Sequence, residues 1–300
     1  MTTPDPMTAA VVQLTSTEDV AANLEAIRHW VTAAAKAGAE LVALPENAVW
    51  LRSSVAAVAP MERLDGESDG PNLTALRGVA RDAGVWLLVG SFPEVGPEVG
   101  PEVGPEVGPE VGPEVGPDGV AGRRYYNTSI VIDPSGRVTA TYRKLHLFDI
   151  DVRDGESQRE SDSIAPGEAV IATGVRGVTT GLSICYDLRF PALYQRLVDA
   201  GARILTVPAA FTEFTGKDHW LVLLRARAIE TQTFVIAPGQ SGFHGGKRRT
   251  FGKSTIIDPW GIPLCIAADG PGFAVARLDF AGQDRIRASL PCLSHRHPGV

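Results

Sequence analysis

The sequence predicts a layered α/β fold, and three observations carry that prediction. Strand-like and helix-like segments alternate between residues 8 and 92. The strand-like runs are almost continuously apolar, as strands covered on both faces are. Further along, hairpins stand beside β-α-β units, so a mixed sheet is expected and the number of strands suits two sheets. No linker divides the 300 residues, and one domain is expected over 1–300.

The elements follow in order. TAAVVQLT (8–15) is a short strand. Asp19 to Gly38 is an amphipathic helix, with Leu24, Ile27, Trp30 and Val31 at helical spacing and a glycine stop. ELVALPE (40–46) is a buried strand ending in a proline and an acid, Asn72–Gly84 a second helix, and VWLLVGSF (85–92) a third strand. Residues 93–116 then read PEVG six times. Proline at every fourth position stops a helix or a central strand, and one valine per unit buries too little for a solenoid. The whole repeat is expected to be a solvated loop insert. YYNTSIVIDPSGRVTATYRKLHLFD (125–149) is a hairpin around a DPSG turn, and its second strand delivers Lys144. AVIAT, GVTTGLSICYD, RILTVPAAF and TFVIAPGQ are strands, with helices at Phe190–Ala200 and His219–Thr231 between them. STIIDPWGIPLC is a second hairpin, and FAVARLDF with a helix near 281–290 completes the chain.

Composition excludes several classes. Hydrophobic residues make up 44% and charged residues 21%, which excludes a mainly disordered chain. No apolar run approaches membrane-spanning length. MTTPDPMTAAVV has no basic stretch leading into an apolar one, so no secretory signal is expected. Three cysteines form neither a disulfide framework nor a CxxC metal pattern. A cytoplasmic protein with reduced thiols is expected. The net charge is −7, but the repeat's six glutamates account for all but one of those charges. The body is therefore nearly neutral and offers no basic stripe for nucleic acid.

Glu46, Lys144 and Cys185 each stand at the carboxyl end of an apolar strand, where ligand sites form in open α/β sheets. Taken singly, each is ordinary: a solvated acid, an exposed lysine, a small buried hydrophobe. Together they make coherent chemistry. A thiol is mostly protonated at neutral pH and needs a base or a cation to become a nucleophile. Glu46 offers the base and Lys144 the cation for a thiolate or an oxyanion. A cysteine–histidine pair is the rival, with His146 and His219 nearest in sequence to these strands.

LPEN (44–47), YRKLHLFD (142–149) and GLSICYDLRFPAL (181–193) resemble the three motif blocks of the nitrilase, or carbon–nitrogen hydrolase, superfamily. The resemblance covers nearly the whole chain except the first residues and the repeat. It implies a four-layer α-β-β-α sandwich. It also implies a Glu–Lys–Cys triad that hydrolyses amide or nitrile bonds through a thioester, with no metal or cofactor. Carried over, Glu46 is the general base, Lys144 the oxyanion-stabilising cation and Cys185 the nucleophile, with the Tyr186 N–H as a second oxyanion donor. RESDSIAPG (159–167) resembles the segment that holds a second glutamate, which gives Glu160, with Glu156 as a neighbouring competitor.

AFTEFTGKDHWLVLLRARAIETQ (210–232), FGKSTIIDPWG (251–261) and SLPCLSHRHP (289–298) resemble the Nit branch. Within it they look more like deaminated-glutathione amidases than omega-amidases or carbamoylases. Asp218 before His219 and the ending HRHPGV depart from the pattern. The expected partner is a small carboxylate-bearing amide, cleaved to acid and ammonia. Phe211 and Thr215 match pocket-lining positions, although packing and a helix cap explain them equally. Arg189, four residues after Cys185, is placed either to grip a substrate carboxylate or to pair with Asp187. Trp220 reads as core, and Arg225, Arg227 and Glu230 as a supporting ion network. Phe190, Leu193, Tyr194 and Leu197 form an apolar stripe that suits a core or the mate of a homodimer.

Overall fold

The computed structural model describes residues 3–54, 57–64, 69–98, 123–150, 158–246 and 248–297. Two mixed sheets carry the fold. The first has the order Gly272–Leu278, Met7–Gln13, Leu41–Ala43, Trp86–Glu98, Arg123–Ile132, Val138–Arg143, with Ile164–Ala165 also beside Arg123–Ile132. The second has the order Pro263–Ile266, Thr255–Ile257, Phe234–Ala237, Ile204–Thr206, Val178–Leu182, Ala172–Val175. Each sheet has three parallel strands at its centre, flanked by antiparallel neighbours. The parallel centre comes from the β-α-β units and the flanks from the hairpins.

Strand alternation sets the layers. Ala9 and Val11 face the second sheet, while Ala10 and Val12 face the helices Val20–Lys36 and Pro71–Ala83. Ile27, Val31, Leu76 and Val79 of those helices close that side. On the far side, Leu193, Tyr194 and Leu197 of Pro191–Asp199 and Trp220, Leu224 and Ala228 of Glu213–Thr231 close the second sheet. The result is the expected α-β-β-α order. Asp19 caps the first helix by accepting from the Ala22 N–H (3.0 Å), and Gly84 ends the second in the left-handed conformation. Among the described residues no helix is long and apolar enough to cross a membrane.

Three expectations change. The first PEVG unit is not loop. The strand Trp86–Glu98 runs into it, and Pro93, Glu94 and Val95 pair with Asn127, Tyr126 and Tyr125. Register shifts on either side of the unit accommodate the proline. Glu94 is buried and accepts from Thr128 Oγ1 (2.6 Å) and Arg143 Nε (2.9 Å). Residues 99–116 lie outside the described residues. Second, the helix expected from His219 begins at Glu213. Third, Leu193, Tyr194 and Leu197 are buried in the chain's own core, so this stripe is no free face for a second copy.

Candidate active site

Glu46 leaves the strand Leu41–Ala43 through Leu44 and Pro45. The neighbouring strand passes unusually close there, because a Cβ on Gly90 would lie 2.2 Å from Leu44 O. Asn47 follows with φ +57°, a conformation asparagine tolerates. Lys144 follows Val138–Arg143, its N–H donating to Asn127 O (3.0 Å). Cys185 opens a single 3₁₀ turn, Cys185–Arg189, after Val178–Leu182, with φ +47°. Its N–H donates to Pro208 O (2.8 Å). A left-handed, non-glycine nucleophile position costs of order 1–3 kcal/mol, so the surroundings must hold it.

Asp187 provides that hold. Its Oδ2 accepts from the Ile184 N–H (2.9 Å) and from Tyr142 Oη (2.7 Å). Its Oδ1 accepts from the His146 N–H (3.0 Å) and lies 2.7 Å from His146 Nδ1. Tyr142 and His146 flank Lys144 at two residues on each side, so one buried carboxylate ties the cysteine turn to the lysine segment.

The three predicted residues converge. Glu46 Oε1 accepts from Lys144 Nζ (2.9 Å) and Asn127 Nδ2 (3.0 Å), and Oε2 from the Ala210 N–H (2.8 Å). The Cys185 thiol lies within reach of this carboxylate's charge. Lys144 Nζ reaches both Glu160 oxygens, at 3.0 and 2.8 Å, and Glu160 Oε2 accepts from the Phe148 N–H (2.8 Å). Glu46, Lys144 and Cys185 are all buried.

Burial opposes charge at each of them, and their neighbours decide the balance. Burial alone would raise the Glu46 carboxyl, but the Lys144 ammonium and the donors around it hold it below its ordinary value. Burial works against the Lys144 ammonium, and Glu160 and Glu46 more than offset it. Burial and then the Glu46 charge push the Cys185 thiol well up. The resting cluster therefore holds an ionised Glu46, the Lys144 ammonium and a neutral thiol beside its nearest base.

The remaining predicted residues divide. His146 is stacked on Phe190 (centroids 3.7 Å apart, planes 6° from parallel) and bonded to Asp187, so it serves the turn and does not face the thiol as a base. Asp187 is committed to that network, which removes the expected Arg189–Asp187 pair. Instead the Arg189 guanidinium lies over the Phe211 ring (5.2 Å) and near Tyr186 (5.9 Å), and meets His219 Nδ1 at 3.4 Å. Thr215 is in the first turn of its helix, its hydroxyl 2.7 Å from Oγ1 of the N-cap residue Thr212, and no side chain caps that helix end. Trp220 is core. Arg227 pairs with Glu230 (2.9 Å) and holds Leu188 O, whereas Arg225 donates to Gly261 O instead of joining that network. Glu156 lies outside the described residues.

Sequence reading missed Asn127 and Gln240. Asn127 holds Glu46 with its side chain and Lys144 with its carbonyl. Gln240 Nε2 donates to Glu46 O (3.0 Å). Asn127 is a lone amide in the middle of the strand Arg123–Ile132 and Gln240 one just before Ser241–Phe243, with no local pattern to mark either. Among the described residues no group of His, Cys, Asp or Glu is arranged to hold a metal ion.

The carbon-nitrogen hydrolase family model matches residues 8–288. This chain belongs to the carbon-nitrogen hydrolase family. The hydrolase is 40% identical over 296 residues to a deaminated glutathione amidase of Synechocystis sp., covering 97% of this chain and 98% of that one. It resembles the crystal structure of the C. elegans NitFhit protein, with TM-score 0.80, 31% identity, and coverage of 99% of this chain and 66% of that one. It also resembles an amidase from Nesterenkonia sp. AN1, with TM-score 0.69, 27% identity, and coverage of 95% and 98%. In that amidase a mutant shows Michael addition of acrylamide at the active site cysteine.

Proposed function

We propose that this hydrolase cleaves a small carboxylate-bearing amide through a thioester on Cys185, with deaminated glutathione as the substrate. One observation carries the reading: Glu46, Lys144 and Cys185 are buried together, Glu46 bonded to Lys144, with the carboxyl held down, the ammonium held up and the thiol pushed up. As sulfur attacks the carbonyl carbon, Glu46 takes the thiol proton. The charge that develops on oxygen meets Lys144 Nζ and the Tyr186 N–H. Glu160 holds the ammonium in place. The C–N bond breaks as Glu46 returns the proton to the leaving nitrogen. Water, deprotonated by Glu46, then hydrolyses the thioester and frees the thiol.

The leaving group depends on the amide. A primary amide, such as the omega-amidase substrate α-ketoglutaramate, releases ammonia. Deaminated glutathione releases cysteinylglycine, because its scissile nitrogen belongs to that dipeptide. Arg189, held over aromatic rings beside the cysteine turn, suits the carboxylate of the acyl half.

The test follows release of both halves of deaminated glutathione, and of ammonia from α-ketoglutaramate, with intact-mass analysis. Cys185→Ser should abolish turnover and leave the fold intact, and a slow substrate should leave an acyl adduct on the Cys185 peptide. Turnover retained in Cys185→Ser, or an adduct on Cys265 or Cys292 alone, overturns the reading. The proposal keeps a homodimer in a reducing cytoplasm, and light scattering that reports only a 32 kDa species at micromolar concentration overturns the dimer.

A further inference from the structure

The proposed chemistry fixes where the two halves of the amide lie. Glu46 returns a proton to the leaving nitrogen, so the leaving half is on the Glu46 side and the acyl half stays with Cys185 and Arg189. A second pair of arginines belongs to the Glu46 side. Arg52 is six residues beyond Glu46 in the same loop, and Arg248 is in the turn between the strands Ser241–Phe243 and Arg249–Phe251. Arg248 Nη1 donates to Arg52 O (3.3 Å). The turn lies against the loop, since a Cβ on Gly245 would be 3.2 Å from Ser53.

This hairpin is tied to the cluster at both ends. Gln240, before it, holds Glu46 O, and the Phe251 N–H donates to Phe211 O (2.9 Å). Tyr125 lies between the two groups. Burial and the Glu160 charge push its phenol up to about 12, against the charges of Arg52, Arg248 and Lys144. Arg248 is half-buried, and among the described residues it has no carboxylate partner. A half-buried guanidinium on a hairpin tied to the reaction centre, bonded among the described residues only to a carbonyl, is suited to a carboxylate.

We propose that Arg248 forms a second carboxylate subsite that takes the far carboxylate of the leaving amine. The inference rests on the proposed amidase reading and deepens it. Arg189 next to the cysteine turn and Arg248 against the Glu46 loop suit an amide with a carboxylate on each half. An omega-amidase substrate has a carboxylate on its acyl half alone.

The experiment compares deaminated glutathione with α-ketoglutaramate, which has the same acyl half but only ammonia to lose. Arg248→Gln should raise KM for deaminated glutathione about tenfold or more, the scale of a lost charged hydrogen bond, with kcat little changed. α-Ketoglutaramate should lose far less. Converting the terminal carboxylate of deaminated glutathione to its carboxamide should cost the wild type as much as the substitution does, and should cost Arg248→Gln little more. Equal loss on both substrates, or no loss on either, overturns the subsite while the amidase reading stands. A wild type that cleaves neither amide overturns both.

Discussion

At the scale of single residues, the cluster joins opposite charge states in one buried space. The Cys185 thiol is raised by burial and then by the Glu46 charge. Its alkylation by iodoacetamide should therefore keep rising with pH beyond the ordinary thiol range near 8.5. Glu46→Gln removes a negative neighbour and leaves Lys144, so the alkylation profile should move to lower pH. A profile that moves up or stays put removes Glu46 as the controlling charge. The sign for stability follows from the same shift. A raised thiol keeps its proton in the folded state while the unfolded thiol loses it, so stability falls as pH rises above about 8.5. Asp187 yields a second expectation. Tyr142→Phe takes one donor from a buried carboxylate and loosens the turn that holds Cys185, so kcat should fall about tenfold with KM unchanged. His146→Asn, which keeps a donor near the Nδ1 position, should retain more activity than His146→Leu. A drop in melting temperature with normal kcat would leave Asp187 a purely structural anchor. Glu46, Lys144, Cys185 and Glu160 were legible because each is a reactive type inside a motif block. Asn127, Gln240 and the Tyr142–Asp187–His146 set were not, because their roles exist only once distant strands meet.

At the scale of elements, apolar runs and turn dipeptides marked most strands, including both hairpins with their DPSG and DPWG turns. The helix from Glu213 was read six residues short, because FTGKD carries no apolar stripe: Phe214 is exposed and Gly216 packs against Phe251. The repeat was misread for a clearer reason. A proline every fourth residue argues against a strand, but the strand Trp86–Glu98 needs only its first prolines accommodated, and shifts in register do that. This separates two deletions. Removing residues 101–116, four whole units, should leave the melting temperature within about a degree or two, because closure entropy changes by about 0.6 kcal/mol per doubling of a loop. Removing 93–116 also takes Glu94 from Arg143 and Thr128. A charged buried hydrogen bond contributes about 1.5–3 kcal/mol, so the melting temperature should fall by several degrees. Equal effects of the two deletions would show that the first unit adds nothing to the sheet.

At the scale of the whole molecule, the strand Gly272–Leu278 pairs along its full length with Met7–Gln13, so the two ends of the chain close one sheet. The core between the sheets takes side chains from both: Val11 and Leu88 from the first, Ile204 and Ile236 from the second. Neither half can unfold and keep its inner face covered. A single cooperative transition is therefore expected, with far- and near-ultraviolet circular dichroism giving the same midpoint. Two separated midpoints would mean that the halves are independent domains. Strand and helix alternation made a layered fold with two sheets legible, whereas the α-β-β-α order and the joining of the site residues came only with the family resemblance, because those residues come from both sheets and meet only when the sheets are stacked.

The strand that runs through the first PEVG unit has a consequence for heredity. One unit is four codons long, so gaining or losing a copy as the gene is replicated preserves the reading frame. Whatever number of copies remains, one of them directly follows Phe92, and its glutamate is the one that meets Arg143. The strand uses the first copy and the first two residues of the second, through Glu98. Each copy beyond these adds one proline, one glutamate, one valine and one glycine, and one negative charge, without shifting the reading frame.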